Sequence, residues 1–191
     1  MNYWQGKKIL LRAIEPADAA TFYEWDKDSD MGRFLDRVWQ PVSLESQRRF
    51  TERESTKEPG DNFFFVIENL QGEVVGSIST HDCDRRQGVF SYGVAVRAAH
   101  QRRGYAAEAI RMVLRYFFEE LRFQKVTVGI HSNNPASAAL HEHLGFQLEG
   151  RLRRTVFEGG QYLDELVYGL TVEEFNGENH HEKEAPGLVL P

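Results

Sequence analysis

The chain has 191 residues, 41% of them hydrophobic and 27% charged, with a net charge of −6 and a pI near 5.7. This length and balance fit one soluble domain with its own core and exclude a wholly disordered chain. The acidic sum removes any general attraction to nucleic acid, and no apolar run is long enough to span a bilayer.

The N-terminal stretch MNYWQGKKILLRAIEP lacks the apolar core and the small-residue cleavage site of a signal peptide, so a cytoplasmic location is expected. Residues 9–15, ILLRAIE, read as a first strand. Pro16 to Ala20 then starts a helix through Thr21, Phe22, Tyr23 and Trp25, with proline in its first turn. Asp26, Asp28, Asp30 and Asp36 follow, interleaved with Phe34, Leu35 and Trp39. This segment is either a solvated loop or an acidic wall that receives an amine.

Ser43 N-caps a second helix that runs through Phe50 towards Glu54 and is broken by Lys57-Glu58-Pro59-Gly60-Asp61. Phe63 to Glu68 and Val74 to Thr80 read as a hairpin across Asn69 to Glu73. Cys83 is the sole cysteine and cannot form an internal disulfide, in keeping with a reducing compartment. It lies in a polar turn expected over Asp82 to Gly88, which leads into a strand at Phe90 to Val96. Three consecutive antiparallel strands follow from this order.

Next comes Gln101-Arg102-Arg103-Gly104-Tyr105-Ala106, opening a helix whose apolar positions Ala106, Ile110, Val113, Phe117 and Leu121 recur every three to four residues. A helix entered through a glycine leaves backbone N–H groups free at its positive end, a setting suited to phosphate. The same pattern also suits an ordinary βα unit. Neither G-x-x-x-x-G-K-[ST] nor, in this turn, G-x-G-x-x-G is present.

Lys125 to Ile130 is a short strand, and Pro135 with Ala136, Ser137, Ala138 and Ala139 starts a helix ending at Gly145. Phe146 to Glu149 returns to strand. Arg151 to Phe157 and Tyr162 to Leu170 form a last hairpin across Glu158-Gly159-Gly160-Gln161. Residues 176–191 are polar and aperiodic and are expected to be disordered beyond a domain of residues 1–175. The adjacent His180 and His181 in that tail do not make a dedicated metal site, and no metal is expected.

Gln101 to Ala106, read with Asn134-Pro135-Ala136-Ser137-Ala138-Ala139-Leu140-His141-Glu142-His143-Leu144-Gly145-Phe146, resembles the two motifs of the GNAT superfamily of acetyl-CoA-dependent N-acetyltransferases. The likeness spans residues 9 to about 175. Gly145 to Gly150 and Gly159-Gly160-Gln161-Tyr162 are similar to the branch holding ribosomal-protein N-terminal and spermidine acetyltransferases. The resemblance implies an α+β fold, with a mixed, mostly antiparallel sheet splayed between its fourth and fifth strands and about four flanking helices.

It also implies where acetyl-CoA is held: the pantetheine arm along Val94 and Val96, the pyrophosphate at Gln101, Arg102, Arg103, Gly104, Tyr105, Ala106 and Ala107, and the arm again at Asn134 and Ser137. Asn134 is equally a turn residue before Pro135. The reaction implied is direct attack by a primary amine, with a backbone N–H near Val94 facing the oxyanion.

Where many members place a tyrosine acid this chain has His141, while Ser137 matches the serine acid of the ribosomal-protein branch. Both are candidate proton donors to the departing thiolate. Relatives carry a carboxylate base where this chain has Ser91, so no base carries over. Glu24, Asp26, Asp82 and Glu158 are carboxylates within reach of a cleft by element order. The acceptor implied is a protein or peptide N-terminal amine, with a polyamine as the alternative and a non-catalytic acetyl-CoA-binding module as a third reading. No nucleic-acid or membrane partner is expected, and a homodimer is left open.

Overall fold

The computed structural model describes residues 2–29, 32, 38, 40–58 and 60–177. Strand β1 (Ile9–Ala13) buries Ile9 and Leu11 and leads through a 3-10 turn at Pro16–Asp18 into α1 (Ala19–Trp25). Helix α2 (Leu44–Ser55) is capped by Ser43, whose hydroxyl accepts the Ser46 amide at 3.1 Å. Then come β2 (Phe64–Asn69), β3 (Val74–Asp84), β4 (Val89–Val96), α3 (Tyr105–Arg115), β5 (Lys125–His131), α4 (Pro135–His143), β6 (Gln147–Glu158) and β7 (Gln161–Thr171).

The strands form one seven-stranded sheet in the order β1-β2-β3-β4-β5-β7-β6. Every neighbouring pair is antiparallel except β4 with β5. That parallel pair is brief, holding only at Val89↔Lys125 and Phe90↔Val126. Beyond Phe90 the two strands diverge, as the family resemblance predicts, so each turns an unpaired edge toward the gap.

Side-chain alternation divides the sheet beside this gap into two faces. Phe90, Tyr92, Val126, Val128 and Ile130 join the main core with Ile110, Val113 and Phe117 of the α3 segment. Ser91, Gly93, Thr127, Gly129 and His131 point the other way, and Gly93 and Gly129 are exposed. On that second face α1 and α2 form a separate cluster around Ile14, Phe22 and Val66, with Phe50 and Phe64 packed on it.

Four boundaries depart from the sequence reading. β3 runs on to Asp84 through a bulge between His81 and Asp84, so Asp82 belongs to the strand and the turn is shorter. The regular α-helix α3 stops at Arg115 and continues as a π turn at Tyr116–Glu120, which lets Tyr116 pack on Trp4 and Phe117 stack on Phe90. The strand expected to end at Glu149 and the one expected from Arg151 are a single β6, interrupted by register shifts at Leu148/Gly150 and Leu152/Val156. Glycine at 150 marks a bulge there rather than a break. Residues 172–177 are helical, two residues into the stretch assigned to the tail. Residues 178–191, and with them His180 and His181, lie outside the described residues, as do Asp30, Phe34, Leu35, Asp36 and Trp39.

Candidate functional site

The gap between β4 and β5 opens directly onto the start of α3. Gly104 is the N-cap at φ 84°, a left-handed conformation that costs glycine nothing. A Cβ there would stand 2.8 Å from Lys8 Nζ, the flexible end of a side chain, so it is the backbone conformation more than space that favours glycine. Arg102, at φ 59°, and Arg103 are exposed beside it. The first-turn amides of a helix have no partner within it, so those around Tyr105 to Ala107 present a row of donors at the positive helix end.

The loop is fixed from outside. Gln101 donates through Nε2 to the Val96 carbonyl at 3.1 Å, and Arg103 donates to Ala99 at 3.1 Å. Lys8 Nζ donates to the Arg103 carbonyl at 2.9 Å, while the Glu108 carboxylate accepts the Lys7 and Lys8 amides at 2.5 and 2.9 Å. The N-terminal segment therefore clamps the turn. Lys8 and Glu108 were not found in the sequence; the acid in the first turn of α3 was the available signal.

At the other wall, Asn134 caps α4 by accepting the Ser137 amide on Oδ1 at 3.1 Å. This is the turn role foreseen for it, and it leaves the Asn134 NH2 group available to a ligand. Ser137 is half-buried in the first turn. His141, one turn later, is only 4% exposed. Its Nδ1 lies 2.8 Å from the Ser137 carbonyl oxygen, so Nδ1 carries the proton and donates it there. Nε2 is then an acceptor, 2.9 Å from the Tyr92 hydroxyl.

Both ring nitrogens of His141 are thus used inside the protein, on the core side of the sheet. Burial holds its pKa below the ordinary histidine range, only partly opposed by the Ser137 carbonyl. The same burial pushes the Tyr92 phenol well above its usual value. The imidazole is thus neutral and inward-turned, with its one proton committed to a helix carbonyl. Ser137 Oγ lies 3.5 Å from His141 Nδ1, at the limit of contact.

The carboxylates nominated for a base are dispersed. Glu24 pairs with Lys27 at 2.6 Å, and Asp82 is exposed beside His81. Asp26 takes a hydrogen bond from Gln47, and burial raises its pKa despite that bond. Only Glu158 is near the gap, accepting from Asn133 Nδ2 at 3.2 Å and lying 3.7 Å from His131 Nδ1. Cys83 is not a nucleophile candidate, since burial and the Asp61 charge raise its pKa to about 11.

The family model described as "Acetyltransferase (GNAT) domain" matches residues 8–147. The chain is a GNAT acetyltransferase. It is 41% identical over 175 residues to the SPbeta prophage-derived uncharacterized N-acetyltransferase YokL of Bacillus subtilis (strain 168), covering 92% of this chain and 96% of that protein. YdaF of the same organism, named provisionally as a ribosomal N-acetyltransferase, is 27% identical over 173 residues, covering 89% and 94% of the two chains. In fold it matches the spermidine N-acetyltransferase of Vibrio cholerae solved with CoA and spermine, with TM-score 0.79 at 20% identity over 90% of this chain and 99% of that one.

GNAT enzymes use acetyl-CoA, and the gap suits it on geometric grounds. Beyond its chain neighbours, no atom lies within 4 Å of a Cβ built on Gly93, so this point of β4 is open. Among the described residues no helix is long and apolar enough to cross a membrane.

Proposed function

We propose that this N-acetyltransferase acetylates a protein or peptide N-terminal amine by direct attack, without a covalent acyl-enzyme. The observation that carries the reading is the splayed β4–β5 pair opening onto the glycine-entered start of α3. A thioester arm lying along Val94 and Val96 would reach phosphate donors at Gln101 to Ala107 and the free Asn134 NH2. An unpaired β4 amide near Val94 would face the oxyanion, where a pre-aimed donor contributes a large share of rate enhancement.

Ser137 is the proton donor to the leaving thiolate. It stands in the first turn of α4 beside Asn134, whereas His141 holds that turn against β4 from within the core. His141 is accordingly a positioning residue.

The β6–β7 hairpin favours a peptide over a polyamine. Exposed Arg151, Arg153 and Arg154 line an open cleft there with Leu152, Thr155 and Asp164, and only Asp164 offsets them. A polycation would meet unbalanced positive charge along this strand with several ammonium groups, a peptide with only one. The polyamine reading draws on the fold shared with the Vibrio cholerae enzyme solved with spermine.

A thiol-release assay with acetyl-CoA over peptides, polyamines and amino acids tests the acceptor. The expected result is turnover with peptides of free N-terminus and little with spermidine. Faster release with spermidine than with every peptide would replace the first reading by the second. Ser137→Ala should lower kcat by about 10²-fold, in the range of general acid catalysis, with acetyl-CoA affinity within about threefold. Labelled acetyl groups retained on the protein after mixing with acetyl-CoA alone would refute direct attack.

A further inference from the structure

On the open face of the sheet, two carboxylates lie over glycines of neighbouring strands. Glu149 of β6 covers Gly169, its carboxyl carbon 2.5 Å from where a Cβ would stand. It is neutralised by Lys125 Nζ at 2.6 Å. Glu165 of β7 covers Gly129 in the same way, with Oε1 2.0 Å from the position a Cβ would take. Unlike Glu149, Glu165 has no ion pair and no side-chain hydrogen bond among the described residues.

The sheet register brings this bare carboxylate to the reaction gap. Glu165 pairs with His131, and Val167 with Gly129, so the Glu165 side chain runs diagonally across β5. Gly129 is exposed and forms part of the β5 wall beyond the last β4–β5 pair at Phe90↔Val126. By alternation from that pair, Ser91, Gly93, Gly129, His131 and Glu165 all share one face, opposite the His141 network. Ser91 and Gly93 bring no ionisable group to the β4 wall. Glu158, the second acid near the gap, is engaged by Asn133 and lies near His131. Glu165 is therefore the carboxylate at this gap that is both accessible and without a partner.

We propose that Glu165, laid over Gly129, receives the acceptor's primary ammonium group and is the base that takes its proton. This rests on the acetyltransferase reading and supplies the base that the β4 motif lacks. The bookkeeping closes on the three ammonium protons. One passes to Glu165 and then to water, freeing the nitrogen lone pair to form the C–N bond. A second is given up by nitrogen as the C–S bond breaks and replaces the proton that Ser137 hands to sulfur. The third stays on the amide. The products are the acetamide, CoA thiol and one solvated proton. A single carboxylate over a glycine recognises one ammonium group with room for a carbon chain behind it, in keeping with a peptide N-terminus or one end of a polyamine.

The test uses Glu165→Gln and Gly129→Ala in the full chain. The first removes the charge at nearly constant shape. The second builds a methyl group where Oε1 sits, and it displaces only the flexible end of a side chain. Both should fold, shift normally in melting temperature with acetyl-CoA, and lower kcat by about 10²-fold or more, as loss of a general base does. Independently of turnover, calorimetry of spermidine and of a hexapeptide with a free N-terminus onto protein saturated with CoA should show binding at least about tenfold weaker in Glu165→Gln. Wild-type turnover and amine binding in Glu165→Gln would overturn the proposal, as would failure of the wild-type protein holding CoA to bind either probe. Absence of acetyl-CoA binding and of thiol release by the wild-type protein would instead count against the acetyltransferase reading, so the two failures separate.

Discussion

The two faces of the sheet at the β4–β5 gap are built on opposite principles. On the core face, Phe90 stacks on Phe117 at 4.0 Å, and Tyr92, His141 and the Ser137 carbonyl form a closed chain of hydrogen bonds in which each group is satisfied. On the other face, Gly93 leaves space, Gly129 is covered only by the Glu165 side chain, and Glu165 has a charge without a partner among the described residues. One face holds the strands and α4 in place; the other leaves groups free for a ligand. Buried polar groups are costly unless paired, so a network can be complete only where no substrate must enter. A titratable group placed deep on the core face is therefore expected to be a structural one, and His141 is the residue that tests this.

The largest expected effect that sharpens this contrast comes from His141→Phe. Removing the imidazole leaves the buried Tyr92 hydroxyl without its acceptor and takes from the Ser137 carbonyl its side-chain donor, costing about 1–3 kcal/mol of stability. Thermal or urea unfolding measures this. Turnover per folded molecule should stay within about fivefold; a loss of 10²-fold with unchanged stability would break the contrast and return His141 to the chemistry.

The same residue predicts a pH dependence. Its folded pKa is depressed, so the native state binds fewer protons than the unfolded chain as pH falls below the ordinary histidine value of about 6.5. The stability it confers is complete above that pH and is lost on acidification, with a slope of up to about 1.4 kcal/mol per pH unit. Melting temperatures between pH 7.5 and pH 5.5 should therefore fall more steeply in the wild-type protein than in His141→Phe.

Gly104→Val acts at the turn that opens α3, the proposed phosphate site. A β-branched residue at φ 84° is strained, and its Cβ would crowd Lys8 Nζ. Acetyl-CoA affinity should drop about 10- to 100-fold by calorimetry, with a smaller loss of stability of about 1–2 kcal/mol. The smallest effect is expected from Glu149→Gln. It breaks a half-exposed ion pair with Lys125, worth about 0–1 kcal/mol, and should leave kcat within about twofold. A large catalytic loss there would show that any carboxylate of the open face serves, and that Glu165 is not distinguished by lacking a cation.

Much of this molecule was legible from local pattern. The strand, turn and helix at Phe90 to Leu121, the Ser43 and Asn134 caps, and the turn at Gly159-Gly160 depend on residues near one another in sequence. Periodicity and φ preference report such features directly. The two GNAT motifs extended that reading to the splayed sheet. Pairing and exposure were not local. Whether Gly150 ends a strand or makes a bulge depends on β7, and whether Glu142 or His141 faces the core depends on how α4 rolls onto Tyr92.

The chain order therefore determined the family and the sheet. Only the tertiary structure decided which titratable groups are spent inside and which remain free. Lys8 reaches the Arg103 carbonyl across 95 residues in one hydrogen bond, and Glu165 reaches Gly129 through strand register. A side chain's charge and reactivity follow from its desolvation and its partners, and both are supplied by segments far away along the chain.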